Sequence, residues 1–155
     1  MKSEPETRMV KGKDVSFGVT DLQAMGNSTS QWDGVRNYRA RNYMRDEMKL
    51  GDKVFFYHSN CKVPGIAGIA TVVREGYPDY TAFDPEHPYY DPKSSKESPK
   101  WFMVDIKLDK ILDRVLPLSE LKQYKELQEM VLIKQGRLSV QPVRESEYNF
   151  IMALL

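Results

Sequence analysis

Three segments with strand-like patterning constrain the fold of this chain more than any other feature. They are 53–58, which is aromatic and β-branched, 66–73, which is rich in Ile, Val, Ala and Thr, and 101–108, where Phe, Val, Ile and Leu occupy every second position. Such patterns are typical of β-strands. Gly68 lies inside the second segment, and a glycine in a strand often marks a bulge or a close backbone approach. We therefore predict adjacent, mostly antiparallel strands of one curved sheet or barrel.

Helical patterns lie between and beside these strands without a strict β-α-β alternation. Residues 37–48 are mostly helix formers, with Ala40, Met44 and Met48 on one face, and Gly51 is predicted to cap this helix. The other predicted elements are a strand at 15–19, a helix starting at 20–23, a polar helix at 118–129, a strand at 138–143 and an amphipathic helix at 145–155. Together they predict an α+β fold, a small β-barrel with flanking helices, in one domain spanning 1–155.

Composition excludes several classes of protein. The longest apolar runs are far shorter than the ~18 residues that a membrane span requires, so no membrane association is expected. A single cysteine, Cys61, excludes an internal disulfide and fits a reducing compartment, the nucleus or the cytoplasm. With only His58 and His87 beside it, the chain lacks a Cys/His zinc cage, and no metal or cofactor is predicted. The net charge of +1 means that nucleic-acid binding would have to use local basic patches.

The sequence contains no recognisable catalytic motif. No phosphate-binding loop, nucleophile elbow or zinc-protease helix is present. His58 and Cys61 are three residues apart, but spacing alone does not make a nucleophile–base pair. We therefore predict that the protein is not an enzyme.

An arginine-rich block is the first sequence feature that points to a partner. Arginines 36, 39, 41 and 45 are interleaved with tyrosines 38 and 43. Guanidinium groups pair with phosphates, and aromatic rings stack on bases. The alternative is a solvated helix face, partly neutralised by Asp33, Asp46 and Glu47. Both interpretations remain open from the residues alone.

Two further positions are candidate site residues. Trp32 lies outside any periodic apolar face, so it is either a core residue or one wall of a pocket for a flat ligand. The sequence Tyr57-His58-Ser59-Asn60 places four hydrogen-bonding side chains at the end of a predicted strand. Strand ends carry site residues and turns alike, so this feature does not decide between them.

These motifs resemble the EVE domain family, a member of the PUA-like superfamily and a relative of the YTH readers of methylated RNA. The residues that carry the resemblance are Lys2-Ser3-Glu4-Pro5, Trp32-Asp33-Gly34-Val35-Arg36-Asn37-Tyr38, Ala40-Arg41-Asn42, Tyr57-His58-Ser59-Asn60, Pro64-Gly65-Ile66-Ala67-Gly68 and Arg137-Leu138-Ser139-Val140-Gln141-Pro142. Family members usually have a few apolar residues before the first motif, where this chain has only Met1. The first strand is therefore expected to be short or trimmed.

The resemblance implies a PUA-like small β-barrel with a pocket at its mouth that accepts a modified base. By similarity, the pocket residues are Lys2, Ser3, Glu4, Trp32, Asp33, Tyr57, His58 and Ser59. A second aromatic wall is expected among Tyr77, Tyr89 and Tyr90. Phosphate contacts are expected from Arg36, Arg39, Arg41 and Arg45. The implied partner is nucleic acid, with DNA or RNA both possible, and a monomer is expected.

The function predicted from this resemblance is non-enzymatic recognition of a modified base, in particular a modified cytosine in DNA. One alternative is an enzyme acting on a modified base or nucleotide, with His58, Glu4 and Asp33 as acid–base groups. Another is a domain that binds a small metabolite or a protein. This last alternative predicts that the four arginines are mostly paired with carboxylates.

Overall fold

The computed structural model describes all residues from Met1 to Leu155. Its strands are β1 (Lys2–Ser3), β2 (Met9–Val10), β3 (Lys13–Asp14), β4 (Thr29–Gln31), β5 (Lys53–His58), β6 (Gly65–Pro78) and β7 (Phe102–Pro117). Its helices are α1 (Val19–Ala24), α2 (Tyr38–Asn42), α3 (Leu118–Leu121), α4 (Val131–Lys134) and α5 (Glu145–Ala153). A π-helical segment, Tyr43–Glu47, continues α2, and 3₁₀ turns occupy Gly26–Ser28, Tyr80–Phe83 and Lys125–Leu127. None of the helices has the length and hydropathy of a membrane span.

The main sheet has five strands in the order β1-β5-β6-β7-β4. Strands β5, β6 and β7 are antiparallel neighbours, which confirms the central prediction from the sequence. Strand β1 pairs parallel to β5, and β4 pairs antiparallel to β7. Strands β2 and β3 form a separate hairpin. The result is the α+β architecture with a central sheet that the sequence predicts.

Strand β5 is buried on both faces. Val54 and Phe56 belong to one hydrophobic core, which includes the buried residues of α1 and α2. Phe55 and Tyr57 belong to a second core, which is covered by α3 and α5. Because successive side chains of a strand point to opposite faces, a strand between two cores needs a continuous apolar run. This requirement explains why 53–58 has four consecutive large apolar or aromatic residues.

Two glycines in β6 allow the backbones of β6 and β7 to approach closely. A Cβ atom at Gly65 would lie 2.3 Å from the carbonyl oxygen of Leu116, and one at Gly68 would lie 3.0 Å from the carbonyl oxygen of Lys110. The register between β6 and β7 shifts at Gly68, as the sequence predicts, and again further along. Bulges of this kind bend a strand and increase its twist. The bends bring the two sheet edges, β1 and β4, to the border of one cavity.

Two predicted helices are confirmed. Asn37 caps α2 by accepting a hydrogen bond from the Ala40 amide at 3.0 Å, and Ala40 and Met44 are fully buried. The C-terminal amphipathic pattern forms α5, as predicted. Gly51 has a φ of 87°, so it does occupy a turn, but the helical segment already ends at Glu47. Gly51 therefore shapes the entry to β5 and does not cap the helix.

The strand predicted at 15–19 is wrong. Residues 15–18 belong to no strand, because their amides bond to the preceding loop: Val15 donates to the Arg8 carbonyl, and Phe17 donates to that of Glu4, both at 2.8 Å. Helix α1 begins at Val19, earlier than predicted, after the Gly18 amide donates to the Asp21 carboxylate at 2.7 Å.

The C-terminal third also departs from the sequence predictions. Residues 138–143 form no strand, although Leu138 and Val140 are buried and the Ser139 carbonyl accepts a hydrogen bond from the Lys2 amide at 2.9 Å. Apolar and polar residues alternate here because one side of the segment is buried, although its backbone pairs with no neighbouring strand. The helix predicted at 118–129 is divided into α3 and a 3₁₀ turn, and the short helix α4 was not predicted.

Candidate functional site

A cavity of about 880 Å³ opens between the two edges of the main sheet. Its wall is built from β1, β4, the hairpin β2–β3, the turn at 32–37 and the loop at 87–91. Among the residues predicted to form the base pocket, the structure brings together Lys2, Ser3, Glu4, Trp32 and Asp33 in this wall.

The other three predicted pocket residues lie behind the wall. Tyr57 faces the second core, because it alternates with Phe56 along β5. The Nε2 atom of His58 accepts a hydrogen bond from the Val19 amide at 3.0 Å and does not face the cavity. The amide and hydroxyl of Ser59 both donate to the Ser3 carbonyl, at 2.8 and 3.2 Å. His58 and Ser59 therefore position neighbouring backbone segments: His58 holds the start of α1, and Ser59 holds Ser3.

Trp32 combines the two interpretations that its sequence position allows. It is only 7% exposed and packs edge-on against Phe17 and Phe56, at centroid distances of 6.3 and 5.4 Å. Its amide donates to the Val104 carbonyl at 2.8 Å, which fixes it beside β7. It also contributes to the cavity wall. Trp32 is therefore a core residue with one edge available to a ligand.

Two of the three tyrosines considered as a second aromatic wall reach the cavity. Tyr89 and Tyr90 line it, whereas Tyr77 lies on the outer part of the sheet, where its hydroxyl donates to Asp105. The Tyr89 ring packs directly on the Gly34 backbone: a Cβ atom at Gly34 would lie 2.5 Å from the ring. Gly34 also has a φ of 80°, which favours glycine. This close approach places the Tyr89 ring on the turn that also carries Trp32 and Asp33.

The cavity wall presents two polar groups suited to the edge of a base. The hydroxyl of Ser3 is buried and has no hydrogen-bond partner in the protein. The Asp33 carboxyl has a raised pKa because it is desolvated and lies near the Asp79 charge, while the His87 ring, 4.0 Å away, partly opposes this effect. A hydroxyl can donate or accept a hydrogen bond, and a carboxylate accepts from an exocyclic amine. No group of three or more His, Cys, Asp or Glu side chains is arranged to hold a metal ion.

Arg36 is partly buried in the cavity wall, where protein groups engage its guanidinium. Its Nη1 atom lies 2.9 Å from Oδ2 of Asp79, a fully buried carboxylate, and its Nη2 atom donates to the Tyr89 carbonyl at 2.7 Å. The same carboxylate accepts from the Gly34 amide at 2.9 Å. This guanidinium therefore compensates a buried charge and holds the cavity wall together. Phosphate binding by Arg36 stays a prediction, which this pairing does not favour.

The remaining arginines lie outside the cavity wall. Arg39 donates to the side chain of Gln135, Arg41 donates to the Lys100 carbonyl at 2.6 Å, and Arg45 pairs with Asp46 at 2.8 Å. Only Arg36 and Arg45 are paired with carboxylates. The alternative of a metabolite- or protein-binding domain predicts such pairing for most of the four arginines, and two of the four show it. Phosphate binding by Arg39, Arg41 and Arg45 stays a prediction.

Sequence reasoning missed much of the cavity wall. The missed residues include Arg8, Lys11 and Lys13 of the hairpin, Phe17, His87 and Trp101. A signal for the hairpin was present in Lys11-Gly12, which adopts φ angles of 51° and 79° and so forms a tight turn. His87 and Trp101 have no local signal, since their positions depend on how the loop folds back.

The EVE domain family model matches residues 1–154 of the chain. The chain belongs to the EVE domain family. This EVE domain is 50% identical to human thymocyte nuclear protein 1 over 99% of the chain and 72% of that protein, and 51% identical to the Danio rerio protein of the same name over 99% and 70%. A crystal structure of human THYN1 protein in complex with DNA containing 5-methylcytosine superposes with a TM-score of 0.95, at 50% identity, covering 99% of this chain and 94% of that one.

Removing the Arg36 guanidinium should destabilise the EVE domain strongly. Arg36→Met leaves the buried Asp79 charge uncompensated, and breaking a buried pair on one side typically costs about 3–5 kcal/mol. Denaturant unfolding should show a loss of this size. The matched control is Arg39→Met, whose side chain is exposed, and its effect should stay within about 0.5 kcal/mol. Equal effects of the two substitutions would contradict a structural role for Arg36.

His58 should make stability depend on pH in mildly acidic solution. Burial lowers its pKa below the ordinary value of 6.5, with Asp21 partly opposing this shift, so the folded state binds the proton less tightly than the unfolded state. The stability from neutral His58 is therefore present above pH 6.5 and is lost as the pH falls through that value towards the lower folded pKa. Thermal unfolding between about pH 7.5 and 5.5 should show a smaller decline in His58→Gln, which keeps an acceptor and does not titrate. An equal decline in the melting temperature of the wild type and of His58→Gln would rule out this role for His58.

Proposed function

We propose that this EVE domain is a non-enzymatic DNA-binding module that reads a modified cytosine in its cavity. The observation that carries the proposal is the close structural match to human THYN1 protein, which forms a complex with 5-methylcytosine-containing DNA. The proposed ligand is one modified base, turned out of the helix and inserted between β1 and β4.

The chemistry of the cavity suits such a base. Turning a base out of its stack costs a few kcal/mol, and aromatic contact contributes about 1–3 kcal/mol per base. Trp32 and Tyr89 supply that contact. Asp33 is suited to accept a hydrogen bond from the exocyclic amine of cytosine. The unpaired Ser3 hydroxyl is suited to a second hydrogen bond with the edge of the base. The apolar side chains of Val15 and Phe17 also line the cavity and offer a surface for a methyl group.

The acid–base set of the rival enzyme is only partly assembled around this cavity, since Glu4 and Asp33 line it but His58 does not, which favours a reader. His58 lies behind the wall, and Glu4 is paired with Arg8. The relatives are named nuclear proteins, which supports an intracellular location where DNA is available. We propose that the domain acts as a monomer in the nucleus. The alternative is that it binds a modified RNA in the cytoplasm.

Binding to matched oligonucleotides tests the proposal. Purified protein should bind a duplex with one 5-methylcytosine more tightly than the same duplex with cytosine, at one stated salt concentration. Single-stranded DNA and RNA carrying the same modification form the other arms, and nucleoside analysis after incubation should show no turnover. Equal affinity for modified and unmodified forms of every oligonucleotide would overturn the assignment, and turnover would favour the enzyme.

Ser3→Ala should reduce selectivity without reducing stability. The Ser3 hydroxyl has no partner in the free protein, so its removal breaks no internal hydrogen bond. A lost contact to the bound base is worth about 0.5–1.5 kcal/mol, or roughly 2- to 13-fold in affinity for the modified duplex. Ser98→Ala is a suitable control, because Ser98 is exposed and lies outside the cavity wall. Unchanged selectivity in Ser3→Ala would remove Ser3 from the proposed contacts.

A further inference from the structure

A base inserted into the cavity brings the phosphates on either side of it to the cavity rim. Of the arginine block, only Arg36 lines the cavity wall, and it is paired with Asp79. The remaining basic residues of the wall are Lys2, Arg8, Lys11 and Lys13. Lys2 is partly buried and lies over the Tyr57 ring, whereas Lys11 and Lys13 are exposed.

Three of these cations belong to residues 8–14, which we call the basic hairpin. Strands β2 and β3 pair only with each other, and the turn at Lys11-Gly12 is exposed. Within the hairpin, the Asp14 carboxylate accepts hydrogen bonds from the amides of Ser16 and Arg8, at 3.0 and 3.1 Å, which lowers its pKa. Arg8 is paired with Glu4. Lys11 and Lys13 are thus the exposed cations of the wall without a carboxylate partner.

Both lysines are oriented across the cavity rim by neutral groups. The ammonium of Lys11 donates to the Tyr90 carbonyl at 3.4 Å, and that of Lys13 donates to the Glu86 carbonyl at 3.2 Å. These carbonyls belong to the segment that also carries Tyr89. An ammonium group has three donors, so each lysine keeps two for another acceptor. A carbonyl directs the side chain without neutralising its charge.

We infer that the basic hairpin binds the DNA backbone beside the inserted base, with Lys11 and Lys13 as its phosphate contacts. The inference rests on the proposed function, since it assigns the phosphate contacts of that same site. Such contacts set the register of the DNA on the protein and carry no sequence information. They also make affinity depend on salt, because each neutralised phosphate releases counterions.

The test replaces both lysines and measures salt dependence. Lys11→Gln/Lys13→Gln should reduce the slope of log affinity against log salt by about 2, since each phosphate contact contributes roughly 0.9. Affinity should fall by the same factor for the modified and the unmodified duplex, so that selectivity is retained. The matched control, Lys122→Gln/Lys125→Gln, makes the same charge change at two exposed positions outside the cavity wall and should keep the wild-type slope.

The outcomes separate this inference from the proposed function. A slope equal to that of the control would overturn the role of the basic hairpin. Loss of affinity for the modified duplex alone would also overturn it, because the lysines would then contact the base. If the wild-type protein shows no preference for the modified base, the proposed function fails. The salt slopes on unmodified DNA still decide whether the hairpin binds phosphates.

Discussion

The buried carboxylate of Asp79 is the group on which the architecture of the cavity depends. It lies at the end of β6, fully buried, and accepts from the Gly34 amide, the Thr81 amide and the Arg36 guanidinium. Through Arg36, which also donates to the Tyr89 carbonyl, one charge connects the turn at 32–36 to the loop at 87–91. A buried carboxylate is tolerated only when it is paired and fully hydrogen-bonded. The same charge contributes to the raised pKa of Asp33, so Asp79 influences both the shape and the electrostatics of the wall.

The central strands could be predicted from sequence at 53–58, 66–73 and 101–108, but the extensions of β6 to Pro78 and of β7 to Pro117 and the short edge elements could not. The predicted segments contain dense apolar and β-branched patterns, because most of their residues are buried against the two cores, whereas the extensions are mostly exposed or half-buried. Strands β1 and β4 have only two and three residues, and their pairing is set by long-range partners that leave no periodic signal. The opposite error is a strand predicted where none forms, as at 15–19 and 138–143. Their alternation comes from one-sided burial, while their backbone groups bond to loops and termini.

The candidate site was predictable where a local motif specifies it and not where distant segments meet. The motifs around Ser3 and Trp32 led to the cavity wall, since each motif lies on one short stretch of backbone. The role of Arg36 was hidden because its partner is 43 residues away in the proline-rich segment. Tyr57 was misplaced because adjacent residues of a strand face opposite sides, and motif similarity alone does not say which side faces the cavity.

The burial of β5 on both faces has a consequence for how the chain folds in a cell. Residues 54–57 are all buried in the native state, between strands β1 and β6, whereas an unfolded chain exposes them as a short hydrophobic, β-prone segment without proline. Such segments self-associate when they are left unpaired. Strand β7, which completes the two cores around β5, is synthesised only after the proline-rich loop, so a nascent chain displays this segment throughout that interval. Lys53 precedes it, and its charge opposes self-association at that end. The yield of folded protein is therefore sensitive to loss of this charge, even where the substitution alters the native free energy little.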